Sequence, residues 1–169
     1  MNSQYGLEVD LVQNKALGAF LMFRTVQAYE KNEKTNSGCP LLLLFLVLPV
    51  LYQKDIRNAL KSTRINSGLR KFTNKFSSRE IKETDVLLRV HDLADSYKKL
   101  SWASFILASK ANMLAVLPDD ALVVSHDQKI PRKYECPSIK PMLTGADKLG
   151  AWFAKNSLYE IASNLKVRF

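Results

Sequence analysis

Histidine and cysteine are scarce in this chain: two of each among 169 residues. Cys39 and Cys136 lie far apart, which excludes a disulfide framework and fits a reducing compartment. His91 and His126 have no cysteine or carboxylate at metal-ligand spacing, so no metal or other cofactor is expected. The chain has no Gly-Lys-Ser/Thr phosphate loop and no Gly-x-Ser-x-Gly elbow. Neither cysteine has an activating histidine nearby. Asp119 and Asp120 are adjacent carboxylates, but the turn they occupy calls for polar residues in any case. No catalytic site is expected, and the chain reads as a non-enzyme. The first ten residues show no basic n-region and no early apolar stretch, so no secretory signal is expected and the protein reads as cytoplasmic.

Acidic residues are also in deficit, 16 against 25 lysines and arginines, which leaves a formal charge of +9. That balance favours acidic partners: nucleic acid, an acidic protein face or anionic lipid. Hydrophobic residues at 47% and charged residues at 24% are ordinary for a globular protein, and a chain of this length can bury a real core. Long apolar runs are absent but for one, Leu41 to Leu51, which has Pro40 in front and Pro49 inside. A bilayer-spanning helix needs roughly 20 residues. The run is about half that, so it reads as a buried helix and no membrane partner is expected. Leucine favours helix over strand, while Pro49 should kink or divide it, with a bend into 52–60.

Elsewhere periodicity places the elements. Asn14 can N-cap a helix from Lys15, with Ala19, Met22, Phe23, Val26 and Tyr29 at helical spacing and Leu17, Phe20 and Leu21 widening the stripe. So broad a stripe implies burial on more than one side. Residues 31–38 read as a loop and 61–68 as a turn. A short helix over 69–76 puts Leu69, Phe72 and Phe76 on one side. A further helix from Thr84 has Leu87, His91, Ala94 and Tyr97 on one face. Ser101 is a candidate N-cap for the next, with Trp102, Phe105, Ile106 and Met113 turned inward. The runs 114–117 and 121–124 around Pro118-Asp119-Asp120 make a β-hairpin. Residues 125–143, with three prolines, look irregular, and 145–169 return to helix with Leu149, Trp152, Phe153, Leu158, Ile161, Ala162 and Leu165 apolar. The expected fold is mainly α (α+β): an irregular helical domain with one small hairpin. It forms a single domain over 1–169, with a helical half at 14–76 carrying the apolar run and basic stretch and another at 84–169 carrying the hairpin near 114–124.

Two features point to partners. The stretch from Lys54 to Lys75 carries seven cations, Lys54, Arg57, Lys61, Arg64, Arg70, Lys71 and Lys75, against one acid, Asp55. Such a row suits phosphate contacts or an acidic partner face. The apolar set Leu44, Phe45, Leu48, Trp152, Phe153, Ile161 and Phe169 serves either core or partner. The segment Leu158-Tyr-Glu-Ile-Ala-Ser-Asn-Leu-Lys-Val looks like the opening half of a helix-turn-helix. The chain stops at Phe169, so no recognition helix is expected to follow, and a docked terminal helix is the preferred reading.

Four blocks carry a family resemblance: Asn14-Lys-Ala-Leu-Gly-Ala-Phe-Leu-Met-Phe-Arg; Pro40 through Asp55; Ser67-Gly-Leu-Arg-Lys-Phe; and Lys148-Leu-Gly-Ala-Trp-Phe-Ala with Glu160-Ile-Ala-Ser-Asn-Leu-Lys-Val-Arg-Phe. In this order and spacing they resemble the middle component of three-component ABC-ATPase (ABC-3C) systems of bacteria. The small accessory subunit of Lamassu anti-phage and anti-plasmid systems is similar. The resemblance implies a non-enzymatic subunit that bridges an SMC/Rad50-like ABC ATPase to a nuclease-like effector in a complex that senses DNA. Double-stranded DNA is then a further partner within the complex. The alternative from the residues alone is a stand-alone, winged-helix-like DNA-binding regulator.

Overall fold

The computed structural model describes residues 14–35, 37–77, 84–127 and 136–168. Among them are eight α-helices and a small three-stranded antiparallel sheet, so the chain is mainly α with a little β.

Helix α1 (Lys15–Asn32) opens where the Asn14 side chain accepts the N–H groups of Ala16 and Leu17, at 2.9 and 3.1 Å. Two of the N–H groups left without a partner in the first turn are thereby satisfied. The broad apolar stripe has a tertiary cause: α1 is the central helix. It packs along α6 (Lys98–Lys110) on one side and α7 (Lys140–Phe153) on the other, and Leu21, Met22, Phe23 and Val26 are fully buried. Glycines set both crossings. A Cβ on Gly18 would lie 2.9 Å from the Ser104 Cβ of α6, and one on Gly150 of α7 would lie 2.8 Å from Ala28 Cβ and Tyr29 N of α1.

The apolar run becomes one helix, α2 (Leu41–Tyr52), of which nine of twelve residues are buried. It is therefore core, and only Leu41, Leu42 and Phe45 reach the surface. Pro49 lies within the helix instead of dividing it. The break falls at Gln53, in extended conformation, before α3 (Lys54–Ser62). The fixed φ of proline suits a helix, and its missing N–H takes the intrahelical donor from Phe45 O. The carbonyls of the helix end have a donor in Arg57, whose Nη1 reaches Leu51 O at 2.9 Å and Tyr52 O at 2.8 Å.

A 3-10 turn (Ile65–Ser67) leads into α4 (Gly68–Ser77), which buries Leu69, Phe72 and Phe76 as its spacing predicts. Helix α5 (Thr84–Ser96) follows. Ser101 does not cap α6. That helix starts at Lys98, because Tyr97 keeps helical geometry and passes its carbonyl to Ser101 N at 2.7 Å. Trp102 and Ile106 are not inward either: they are 46% and 38% exposed. The inner face is Ser101, Ser104, Phe105 and Ala108, and at the crossing itself Gly18 lies against the small side chain of Ser104.

The hairpin forms between β2 (Leu114–Leu117) and β3 (Leu122–Ser125), with Val116 opposite Val123 and Ala121 left-handed in the turn. A third strand, β1 (Cys39–Pro40), pairs with the other edge of β3, Cys39 opposite Val123. Two residues are too few to show a strand period. The Glu30 carboxylate locks the sheet to α1, accepting from Ser125 N at 2.7 Å and from the Ser125 hydroxyl. Helix α7 starts at Lys140, five residues before the expected Gly145, with Pro141 in its first turn where a missing N–H is harmless. It is separated from α8 (Leu158–Leu165) by a capping box, Ser157 with Glu160. One continuous core joins residues from Leu17 to Val167.

Candidate functional site

The seven cations of the basic stretch do not form one uniform row. Lys54 and Lys61 are exposed on α3, Arg64 is exposed beyond its end, and Arg70 and Lys71 are exposed on α4. Arg57 and Lys75 have internal partners. Arg57 closes the end of α2 as described, and Lys75 Nζ donates to Ser62 Oγ at 2.8 Å. Arg57, Lys61 and Arg64 would share a face only on an unbroken helix. Because α3 stops at Ser62, Arg64 leaves that face.

Lys148, which carries no charge-run signal in the sequence, lies at the end of α3. Its Nζ donates to Leu60 O at 2.6 Å and Thr63 O at 2.7 Å, satisfying carbonyls that a helix end leaves open. Burial, and then the nearby Lys75, lower its pKa. Lys148 and Lys61 also flank a cleft of about 360 Å³ with Leu60, Pro141, Thr144 and Gly145. A lysine two residues before Gly150 is visible in sequence, but only the fold shows which carbonyls it meets.

Of the apolar candidates, Leu44, Leu48, Trp152, Phe153 and Ile161 lie in the core. Phe45 is half-buried at the surface, and Phe169 lies outside the described residues. Trp152 packs on Phe72 with centroids 5.3 Å apart and planes tilted by 34°, and donates Nε1–H to Ile65 O at 2.7 Å, so it anchors the turn between the two basic helices. Helix α8 is docked, with Ile161 and Leu165 buried and its end closed by a left-handed Lys166. Between α5 and α8 an open groove of about 700 Å³ is lined by His91, Asp92, Tyr159, Ser163, Lys166 and Arg168. His91 is half-buried at this groove, not on a sealed apolar face.

Among the described residues no group of three or more histidines, cysteines or acids could hold a metal, and no helix is long and apolar enough to cross a membrane. The molecule is thus a helical core that presents charged and apolar surfaces. The model of the ABC-three component (ABC-3C) system Middle Component 3 family matches residues 2–169, and the chain belongs to that family. Its place is accessory, beside an ABC ATPase. No curated protein and no solved structure matches it.

Proposed function

We propose that this chain is the non-enzymatic subunit that joins an SMC/Rad50-like ATPase of its ABC-3C system to a nuclease-like effector, in a cytoplasmic bacterial defence complex that senses DNA. The observation that carries this reading is the match to a middle component along residues 2–169. The exposed cations on and around α3 and α4 suit DNA phosphates held in the complex or an acidic face of a partner. Nucleotide-driven movement of the ATPase, with DNA bound, would alter contacts through this subunit and release or activate the effector. A stand-alone DNA reader draws little support from α8, whose Ile161 and Leu165 are spent on the core, or from the hairpin, whose β3 is paired on both sides.

The test is co-expression with the ATPase and effector of the same system. The expected result is a ternary complex that shifts duplex DNA; a stable free monomer that neither protein binds overturns the reading. The charge-reversed triple variant Lys61→Glu, Arg64→Glu, Arg70→Glu should leave assembly intact. It should lower the slope of log affinity for DNA against log salt by roughly one for each phosphate no longer neutralised. Failed assembly with DNA binding unchanged would make the basic surface a protein interface. Arg57 is left out of that variant because its reversal would unmake the end of α2.

A further inference from the structure

The cleft between α3 and α7 joins apolar walls to a cluster of lysines. Its volume of about 360 Å³ falls in the range of small-molecule sites. Leu60, Pro137 and Pro141 line it together with Gly145, where a Cβ would lie 2.7 Å from Leu51 Cδ2. Lys61, Lys140 and Lys148 stand in the same lining. Lys61 and Lys140 are exposed, and Lys148 is half-buried on the end of α3. Lys75 is close enough to Lys148 to lower its pKa beyond the effect of burial. Four ammonium groups thus gather at the end of α3. The acids that could balance them are few. The helices packed most closely on α3 are α2, α4 and α7, and α2 and α4 contain no carboxylate. On α3 itself Asp55 stands about 120° round the helix from Lys61. On α7 Asp147 is turned to α1, where it accepts two hydrogen bonds from Arg24. Among the described residues no carboxylate pairs with Lys61, Lys75, Lys140 or Lys148.

We infer that this cleft binds a small amphiphilic anion, a carboxylate or phosphate head on an aliphatic or aromatic body. The head is required by the lysines: ammonium groups that gather without a counter-charge repel one another, and an anion between them relieves that cost. The body is required by the walls, since Leu60 and the two prolines gain from covering apolar surface only. A base or a sugar would find little to read there. The hydroxyl of the lining, that of Thr144, already donates to Lys140 O at 3.1 Å. A phosphate of duplex DNA would meet the lysines and leave the apolar walls uncovered. Once bound, the anion would tie Lys61 of α3 to Lys140 of α7 and so stabilise the folded chain in proportion to its concentration. This site stands apart from the bridging role and does not depend on it.

The experiment is titration of the full chain with hexanoate, hexyl phosphate, hexanol, acetate and inorganic phosphate, followed by amide resonances and by thermal unfolding. Hexanoate or hexyl phosphate should bind at one site, shift the amides of Thr144 and Gly145 and raise the melting temperature, and the tighter of the two identifies the head. Hexanol, acetate and inorganic phosphate should each bind about tenfold more weakly or worse. Lys140→Glu, which reverses a charge of the lining, and Thr144→Trp, which fills the cleft, should each weaken the preferred anion by about tenfold or more. Both positions are exposed, and a glutamate in the first turn suits a helix N-terminus; circular dichroism checks that each variant folds, and either one alone decides. Hexanol binding as well as hexanoate would reduce the cleft to an apolar hollow and overturn the proposal. Acetate or inorganic phosphate binding as well would mean an adventitious ion only, and overturns it too. So does the absence of binding by either amphiphile, or binding that neither variant impairs. Duplex DNA affinity lost in the variants, with neither amphiphile bound, would assign the cleft to a nucleic-acid surface instead.

Discussion

At the scale of single residues, the two cysteines show how position decides chemistry. Cys39 is fully buried in edge strand β1, and burial, with Glu30 and Glu33 adding to it, pushes its thiol well above the ordinary range. Cys136 is exposed, and its sulfur lies 3.0 Å from Ser138 Oγ, a hydrogen bond that lowers its pKa. Thiolate is the reactive species. Iodoacetamide at mildly alkaline pH should therefore label Cys136 in the native protein and Cys39 only after denaturant is added, as peptide masses would show. Equal native labelling of both would contradict the packing of β1. Nothing in the sequence separates these two residues beyond the leucines that follow Cys39. Tyr29 is a milder case, its hydroxyl pushed up to about 12, first by burial and then by Cys39 and Glu33.

Among the elements, the crossing of α1 with α7 is the contact that tolerates least. Gly150 brings α7 against the backbone of α1 at Thr25 and Tyr29, where no side chain can retreat. Gly150→Ala should cost about 3 kcal/mol, read as a lower urea midpoint with an unchanged slope, because overpacking against backbone forces the helices apart. Gly18→Ala meets mainly the Ser104 side chain and should cost less. The Arg24–Asp147 pair bridges the same two helices with two hydrogen bonds, but both side chains are partly exposed, so it contributes about 1 kcal/mol at most. The family block around Lys148-Leu-Gly-Ala-Trp-Phe-Ala thus contains three anchors: Lys148 on the end of α3, Gly150 on α1 and Trp152 on Ile65. The helix spans and the hairpin were legible because periodicity and turn residues are local signals. The starts of α6 and α7 were not. Tyr97 continues without a polar cap, and the prolines at 137 and 141 look like loop chemistry although one of them opens a helix.

For the whole molecule, the core is continuous from Leu17 to Val167, and α1 from the first half is held between α6 and α7 of the second. We propose that 1–169 fold as one domain. Thermal unfolding followed by circular dichroism and by tryptophan fluorescence should then give coincident transitions, Trp152 reporting the core and Trp102 the surface. Two separated transitions would mean that the halves unfold independently. The basic surface was legible as composition, seven cations against one acid, but only the fold divides it into five exposed cations and two, Arg57 and Lys75, with internal partners.

By itself the sequence determined the mainly helical class, the burial of the Leu41–Leu51 run, the hairpin and the family, because composition, spacing and block order are properties of the chain. Only the tertiary structure decided which faces α6 turns inward, what Arg57 and Lys148 hold, and that Trp102 reaches the surface beside Phe45. The physical reason is that an amphipathic period says how much of a helix is buried, whereas close contacts such as Gly18 with Ser104 and Gly150 with Ala28, made between residues far apart in the chain, choose the face.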